Sequence, residues 1–324
     1  MRGPLAIGVD VGGTRVSALL VDCEGGGEIL DRSAAGTPAT DAALTVETIV
    51  SVARELSEGH GEVAAIGIGA AGLVDIDGGV RFAPNIAWRD VPLAARVAGA
   101  LGIPTRADND ATAAAWGEFR FGAGRGSDDM LLVTVGTGIG GGIVAGGQLF
   151  RGAHGFGAEI GHIIVEPGGP RCGCGNLGCW EAVAAGRAID RLGRAAAVEH
   201  PRSILADLAG GDAERVTGAH VATAARRGDP IAVHIMEEVG RRLGEGIAGL
   251  VNVLDPDLVV IGGGAIEAAD LLLGPARAAF RDAVMAPDHR PEVPIVPAAL
   301  GNDAGAVGAA DLALSVVLEE RAKT

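Results

Sequence analysis

The chain has 324 residues, of which 48% are hydrophobic and 21% charged, so it is too apolar for a disordered protein and long enough for two lobes with a cleft between them. Its 41 acidic and 26 basic residues give a net charge of −15, which disfavours binding to nucleic acid or to an anionic membrane surface. If the substrate is an anion, backbone N–H groups and a metal ion in the site must therefore bind it.

The N-terminal segment predicts a β-hairpin with a glycine turn. Two apolar, β-branched strands, Leu5–Val11 and Val16–Asp22, flank Gly12-Gly13-Thr14. Glycine lets the main chain approach a phosphate without a Cβ in the way, and Asp10 ends the first strand, where a carboxylate can hold a magnesium ion that bridges phosphates. An ordinary hairpin turn is the alternative.

The following segments alternate between strand and helix patterns. Asp90 is a candidate N-cap and Pro92 lies in the first turn of its helix. The predicted elements are strand Glu28–Ala35, helix Asp41–Glu58, strand Val63–Ala70, helix Val91–Leu101, strand Thr105–Ala107 and a helix from Asn109-Asp110 to about Phe121.

The opening pattern then recurs. Strands Met130–Val135 and Ile139–Ala145 flank Gly136-Thr137-Gly138, a turn that is also rich in glycine and carries a hydroxyl. A duplicated lobe that faces its twin would place both turns on one ligand. Neither turn is a Walker loop. The uncharged run Met130–Phe150 is long enough to span a membrane, but its glycines and short strand-like groups argue against a transmembrane helix.

The C-terminal part of the chain predicts further α/β elements. A third glycine cluster, which includes Gly263 and Gly264, links a strand to a helix and can either hold the adenosine end of a nucleotide or permit close packing. The elements are helices near Gly186–Ala197, Val221–Arg227 and Ile231–Leu254, strand Leu258–Ile261, a helix from about Ala265 to Val284, strand Pro294–Val296 and helix Asp303–Glu319.

Polar residues suggest a site that reads sugar hydroxyls. Asn109 and Asp110 follow a strand and begin a helix, a place where such side chains are often only caps. Glu159, His162 and Glu181 add acceptor-rich groups of the kind that buried hydroxyls need.

The most specific pattern is a metal-ligand set. Three thiols, from Cys172, Cys174 and Cys179, follow His162 in a loop rich in glycine. Three thiolates and an imidazole complete a tetrahedral zinc site and leave no open position, which predicts a structural zinc ion. Cys23 stands alone and is expected to pack as a small apolar residue.

Taken together, these motifs resemble those of the ROK family (repressors, open reading frames and sugar kinases), and within it the bacterial glucokinases. The resemblance spans almost the whole chain. It rests on Asp10-Val-Gly12-Gly13-Thr14, Asn109-Asp110, Thr134-Val-Gly136-Thr137-Gly138-Ile-Gly140-Gly141-Gly142, Glu159-Ile-Gly161-His162 and Cys172-Gly-Cys174-Gly-Asn-Leu-Gly178-Cys179-Trp-Glu181.

The resemblance implies an α/β, actin-like or hexokinase-type (ribonuclease H-like) fold of two duplicated lobes with a cleft between them. The predicted small lobe covers residues 1–108 and about 303–324, and the large lobe covers 109–302. The implied reaction is transfer of the ATP γ-phosphoryl group to the 6-hydroxyl of glucose, with Mg²⁺ as a cofactor. A homodimer or homotetramer in the cytoplasm is also implied.

The resemblance further implies residue roles. Asp110 would be the catalytic base, and Asn109, Glu159, His162 and Glu181 would hold the other hydroxyls. Gly72 and Asn85 are further candidate contacts, and His162 would bind zinc through one ring nitrogen and a sugar hydroxyl through the other.

Four alternatives to an ATP-dependent glucokinase are considered at this stage. Another hexose, such as fructose, mannose or N-acetylmannosamine, could be the substrate, and polyphosphate could be the donor. A non-catalytic sugar sensor is less expected because Asp10 and Asp110 are both present. A DNA-binding repressor is disfavoured by the acidity and by the position of Asp10 near the start of the chain.

Overall fold

The computed structural model of the chain describes residues 3–264 and 268–322. The strands in these residues are β1 Leu5–Val11, β2 Arg15–Asp22, β3 Glu28–Gly36, β4 Val63–Ala70, β5 Leu73–Val74, β6 Val80–Phe82, β7 Arg89–Val91, β8 Thr105–Asn109, β9 Met130–Val135, β10 Ile139–Ala145, β11 Gln148–Phe150, β12 Leu258–Gly262 and β13 Ile295–Pro297. The helices are α1 Ala42–Gly59, α2 Leu93–Leu101, α3 Asp110–Phe121, α4 Trp180–Ala184, α5 Gly186–Glu199, α6 Ile204–Leu208, α7 Gly218–Arg226, α8 Pro230–Leu254, α9 Ala269–Ala283 and α10 Ala304–Ala322.

Two five-stranded sheets repeat one strand order. The first runs β3-β2-β1-β4-β8 and the second β11-β10-β9-β12-β13, so each places a three-strand meander beside two later strands. In the first sheet β1 is antiparallel to β2 and parallel to β4. In the second, β12 and β13 are parallel. The repeat confirms the predicted duplicated α/β architecture.

The chain forms two compact units. The first unit contains the residues up to Leu132, Gly141–Ala158 and those from Ala298 onward, and the second contains Val133–Gly140 and Glu159–Pro297. Residues 109–132 thus group with the first unit, although we predicted them in the large lobe, because α3 packs against α10. The predicted lobe boundaries themselves stay a prediction.

Helix α10 lies unusually close to the first sheet. A Cβ added to Gly8 or Gly67 would lie 1.7 and 1.8 Å from the carbonyl oxygens of Ala306 and Ala309, respectively. Only glycine permits such an approach, since no side chain separates sheet from helix. The approach brings Gly305, in the first turn of α10, beside Asp10: a Cβ on Gly305 would lie 3.3 Å from Asp10 Oδ1.

The second unit is built around helices α5 to α9. Its buried cluster includes Ile189, Val221, Met236 and Leu272. Helix α8 begins at Pro230 behind the N-cap Asp229, whose carboxylate accepts from two backbone N–H groups of the first turn. This core lies apart in sequence from the loop of residues 159–179 that carries the predicted zinc ligands.

The predicted start of helix α2 was wrong. Helix α2 begins at Leu93 rather than at Val91, and its N-cap is Pro92 rather than Asp90. Asp90 lies in β7 with a left-handed φ of 50°. The reason is local, because the residue before a proline is disfavoured in the helical region, which keeps Val91 extended.

Two predictions about single segments are confirmed. The run Met130–Phe150 forms strands β9, β10 and β11, and within the described ranges we find no helix that is both long and apolar enough to cross a membrane. Cys23 is 6% exposed and packs in an apolar cluster with Leu19 and Leu314. Ala265, where a helix start was predicted, lies outside the described residues, and α9 covers Ala269–Ala283.

Candidate active site and metal centre

The first glycine turn has the predicted hairpin geometry. Asp10 pairs with Ser17 across the hairpin and with Gly69 of the parallel strand β4. The N–H of Gly12 donates to the carbonyl oxygen of Arg15 at 3.0 Å, and the hydroxyl of Thr37 donates to the carbonyl oxygen of Gly12 at 2.7 Å. The turn after Asp10 is therefore fixed from both sides.

Asn109 and Asp110 lie at the junction of β8 and α3. Asn109 is the N-cap, and its Oδ1 accepts from the N–H of Thr112 at 3.0 Å. Its Nδ2 donates to the carbonyl oxygen of Gly72 at 3.1 Å. Asp110 is the first helical residue, and its Oδ1 accepts from the N–H of Ala111 at 2.9 Å. Asn109 is thus a cap, whereas Asp110 lies one residue beyond the capping position.

The carboxyl groups of Asp10 and Asp110 both have raised pKa values. Burial, and secondarily the charge of Asp110, raise the pKa of Asp10 to about 7. Burial also raises the pKa of Asp110 above its ordinary value. Perturbed carboxylates close together are typical of functional sites and of cation-binding sites. Asp10, Gly72, Asn109, Asp110 and Gly305 are called the base site below.

Two further predicted sugar contacts lie in the first unit. Gly72 has a φ of 124°, and a Cβ there would lie 2.2 Å from the carbonyl oxygen of Phe82, so the position requires glycine. Asn85 is exposed, and its Cβ would lie 3.1 Å from a Cβ on Gly13. The structure therefore brings Asn85 beside the first glycine turn and Gly72 beside Asn109.

The second glycine turn lies in the second unit, next to Glu181. The N–H of Gly136 donates to the carbonyl oxygen of Gly138 at 2.9 Å and closes the turn. The Gly136 carbonyl oxygen accepts from the N–H of Gly186 at 2.9 Å, which ties the turn to the start of α5. A Cβ on Gly138 would lie 2.3 Å from Glu181 Oε2, so glycine makes room for this carboxylate.

The third glycine cluster shows one clear packing role. Gly263 has a φ of 85°, and a Cβ there would lie 2.5 Å from the carbonyl oxygen of Val135. Gly264 differs, since a Cβ on it would meet no atom of the described residues within 4 Å. Close packing thus accounts for Gly263 and not for Gly264.

The four predicted zinc ligands converge. The donor atoms of His162, Cys172, Cys174 and Cys179 all lie within 4.8 Å of one another. The Sγ atoms of Cys174 and Cys179 are 3.6 Å apart, and His162 Nδ1 is 3.6 Å from the Sγ of Cys172. All four cysteines of the chain are free thiols, so no disulfide explains the cluster.

The spacing fits a tetrahedral zinc ion. Zn–S bonds of about 2.3 Å at tetrahedral angles separate two sulfur ligands by about 3.8 Å, close to the observed separation. The donor set of three sulfurs and one nitrogen is also one that zinc prefers. These four residues are called the zinc-ligand cluster below.

Two carboxylates flank the imidazole of His162. Its Nδ1 lies 3.8 Å from Glu181 Oε1, and its Nε2 lies 3.9 Å from Glu159 Oε2. The thiol of Cys172 donates to Glu181 Oε1 at 2.9 Å, and burial together with this bond raises the pKa of Cys172. Nδ1 therefore faces the thiols, and Nε2 points to the side of Glu159.

Comparison with known proteins places the chain in a family. The profile of the ROK family matches residues 6–316. The chain belongs to the ROK family. ROK relatives include a glucokinase from Streptomyces coelicolor, 44% identical over 95% of this chain and 97% of that protein. A glucokinase from Thermotoga maritima is 40% identical over 94% of this chain and 96% of that protein.

A solved ROK structure matches the fold over nearly the full length. It is the ROK glucokinase from Streptomyces griseus in complex with glucose and AMPPNP, with a TM-score of 0.85 and 46% identity over 96% of this chain and 99% of that one. This match confirms the predicted actin-like, hexokinase-type fold.

Sequence reasoning missed two features in or near the base site. Gly305 lies beside Asp10 because α10 packs against the sheet, and an isolated glycine near the start of the last helix gave no signal of this. Arg151 binds Asp108, the residue before Asn109, from 43 positions away. Such a long-range pair leaves no local pattern in one sequence.

Proposed function

We propose that the chain is an ATP-dependent glucokinase that transfers the γ-phosphoryl group to the 6-hydroxyl of glucose. Membership of the ROK family, the curated glucokinase relatives and the glucose and AMPPNP complex of the Streptomyces griseus enzyme support this activity. The observation that carries the residue assignment is the base site, where Asp110 begins α3 and where burial, with the charge of Asp110, raises the pKa of Asp10.

Asp110 is the proposed general base. Its Oδ1 is held by the N–H of Ala111, which orients the carboxylate so that Oδ2 can accept the proton of the attacking hydroxyl. Phosphoryl transfer needs mainly positioning and charge neutralisation, so a fixed carboxylate next to the nucleophile is the main chemical demand on the protein.

The proposed sugar contacts fall into two groups of residues. In the first unit, Gly72, Asn85 and Asn109 accompany Asp110. In the second unit, Glu159 and Glu181 flank His162. We assign His162 Nε2 to a sugar hydroxyl because Nδ1 is directed to the thiols. Buried hydroxyls each need a partner, and this set supplies amides, carboxylates and an imidazole.

The proposed phosphoryl donor is ATP with Mg²⁺, and polyphosphate remains the alternative. Asp10 would hold the metal ion, which supplies charge neutralisation between the phosphates when it is bound. Its raised pKa supports this role, since a buried carboxylate next to another one gains from a cation. The backbone of Gly12, Gly13 and Thr14 and of Gly136, Thr137 and Gly138 would contact phosphates, and Gly263 with Gly264 the adenosine.

The zinc-ligand cluster is proposed to hold one structural zinc ion. The donor set and its spacing fit that ion. Zinc bound there would supply no open coordination position, so it would fix the orientation of His162 rather than act on substrate.

Further proposals concern substrate range and assembly. Fructose, mannose or N-acetylmannosamine are alternative acceptors, and a non-catalytic sugar sensor is the alternative outside the kinases. A cytoplasmic homodimer or homotetramer without affinity for nucleic acid or membranes completes the proposal, in line with the net charge of −15.

The deciding experiment is a panel of hexoses assayed with Mg-ATP by coupled detection of ADP. Glucose is expected to give the highest kcat/KM. A higher kcat/KM for another hexose would replace glucose in the proposal, and sugar-independent background with every hexose would favour the sensor. Polyphosphate in place of ATP tests the donor in the same assay.

A further inference from the structure

Arg151 forms an ion pair with Asp108, the residue that precedes the proposed sugar contact Asn109. Its Nε donates to Asp108 Oδ2 at 2.6 Å, and the side chains of Arg151 and Asp108 are 35% and 15% exposed. A short charge-assisted bond between partly buried groups is among the stronger polar contacts in a protein and is weakly screened by salt.

Asp108 transmits this contact to the base site. Its other oxygen, Oδ1, accepts from the N–H of Asn109 at 3.0 Å. The side chain of Asn109 in turn caps α3 at Thr112 and donates to Gly72. An unbroken series of hydrogen bonds therefore leads from Arg151 to the residue before the proposed base.

The backbone of Arg151 fixes the loop that leads to Glu159 and His162. Its carbonyl oxygen accepts from the N–H of Gly157 at 2.9 Å, two residues before Glu159. Gly155, with a φ of 91°, packs against the chain after Gly72, since a Cβ there would lie 2.6 Å from the carbonyl oxygen of Val74.

The ion pair of Arg151 and Asp108 lies beside a cavity. Arg151 and Asp108 line a cavity of about 200 Å³ together with Asp75, Arg106 and Leu312. None of the proposed sugar, phosphate or zinc residues lines this cavity. The hydrogen-bonded route from the Arg151 side chain to the base site runs through Asp108.

We infer that Arg151 is a positioning residue, whose ion pair with Asp108 sets the placement of Asn109-Asp110. This inference rests on the proposed roles of those residues in sugar binding. Loss of the pair should then raise KM for glucose more than KM for ATP, because Asn109 and Asp110 belong to the proposed sugar site and not to the proposed nucleotide contacts.

The test compares Arg151→Met, Arg151→Lys and Asp108→Asn with wild type in full glucose and ATP titrations. Arg151→Met should raise KM for glucose about tenfold, lower kcat by less, and leave KM for ATP within twofold. Arg151→Lys should recover part of the loss, because an ammonium can still donate to Asp108. The Arg151→Met/Asp108→Asn double variant should be no worse than the worse single variant, as expected for residues that act as a unit.

Arg226→Met is the matched control. Arg226 donates to Asp270 at 2.8 Å in an exposed ion pair of the second unit, and its loss should leave both KM values unchanged. If Arg151→Met does not fold, as judged by circular dichroism, Arg151→Lys and Asp108→Asn decide the question through the same KM comparison.

Either of two results would overturn the inference: a folded Arg151→Met with an unchanged KM for glucose, or equal changes in both KM values. Asp110→Asn, assayed in parallel, separates this from failure of the proposed function. An inactive Asp110→Asn with an unaffected Arg151→Met rejects only the positioning role, whereas a fully active Asp110→Asn rejects the proposed base.

Discussion

The base site and the zinc-ligand cluster hold their side chains in place by different means. At the base site, Asp10 lies in the paired strand β1 one residue before its end and Asn109 ends β8, and helix termini and backbone hydrogen bonds hold these residues. The zinc-ligand cluster lies in residues 159–179, where the regular structure consists of one short 3₁₀ turn at Ile160–His162 and isolated bridges such as Ile164 to Cys179.

This difference indicates where each region obtains its stability. The base site is set by the folding of the first unit, since its backbone groups are already paired. The loop of the zinc-ligand cluster pairs its backbone through turns and isolated bridges rather than through a sheet, and it exposes apolar side chains such as Ile164 and Leu177. A bound ion would supply the cross-link that regular structure supplies at the base site.

The largest effect on activity is expected from a substitution that removes the proposed base and keeps the fold. Asp110→Asn keeps the oxygen that accepts from the N–H of Ala111, so the melting temperature should stay within about 2 °C of wild type. The turnover number should fall about 10²- to 10⁴-fold, because a general base is lost. Coupled ADP detection and thermal unfolding measure both. Near wild-type turnover would show that Asp110 is only part of the helix start.

The second largest effect is expected from the loss of one ligand in the zinc-ligand cluster. Cys174→Ser should reduce bound zinc from one equivalent per chain to well below one and should lower activity at least tenfold, because His162 loses its fixed orientation. Metal analysis by mass spectrometry and limited proteolysis of residues 159–179 report the change. Cys23→Ala is the matched control, because Cys23 is buried in another cluster and should retain full zinc. Wild-type protein without bound zinc would contradict the structural role.

The free energy of unfolding, measured as a function of pH, should show that the charged form of the buried Asp10 carboxylate destabilises the folded protein. The pKa of Asp10 is about 7 in the folded protein, against 3.8 for an unperturbed aspartate, so the folded protein binds more protons between these values. The contribution of Asp10 to stability is therefore fully present below pH 4 and is lost as the pH rises through 7. Asp10→Asn should flatten this decline, by roughly 4 kcal/mol between pH 4 and 8. Urea unfolding without Mg²⁺ measures it, and parallel curves for both proteins would contradict the assignment.

The contrast between the two regions also explains what one sequence could predict. The bounds of β1, β9 and β10 followed from apolar runs between glycine turns, and the zinc-ligand cluster followed from residue type and close spacing. Arg151 and Gly305 escaped because their partners are distant in the chain and are set by packing. The start of α2 was wrong because Pro92 keeps Val91 extended, a local effect stronger than the capping preference of Asp90.

Alanine substitutions at two glycines, one in the base site and one beside Glu181, compare how rigidly the neighbouring atoms are held. The first is at Gly72. Gly72→Ala should destabilise the protein by at least about 1–2 kcal/mol, because its φ of 124° disfavours any side chain and the obstructing atom is a backbone oxygen of Phe82. Chemical denaturation measures the loss, and KM for glucose should rise with it because Gly72 holds Asn109. Unchanged stability would mean that the chain around Gly72 is free to shift.

Gly138→Ala should have the smallest effect on stability, within about 0.5 kcal/mol, although its Cβ would lie nearly as close to another atom. The obstructing atom is Oε2 of Glu181, the end of a side chain that can rotate away, and Gly138 does not have a positive φ. Rotation would withdraw Glu181 from the N–H of Ile139 and from Cys172, so KM for glucose should rise a fewfold while stability hardly changes. A loss of stability equal to that of Gly72→Ala would show instead that Glu181 is held as rigidly as the backbone, and that the two regions differ less than their structures indicate.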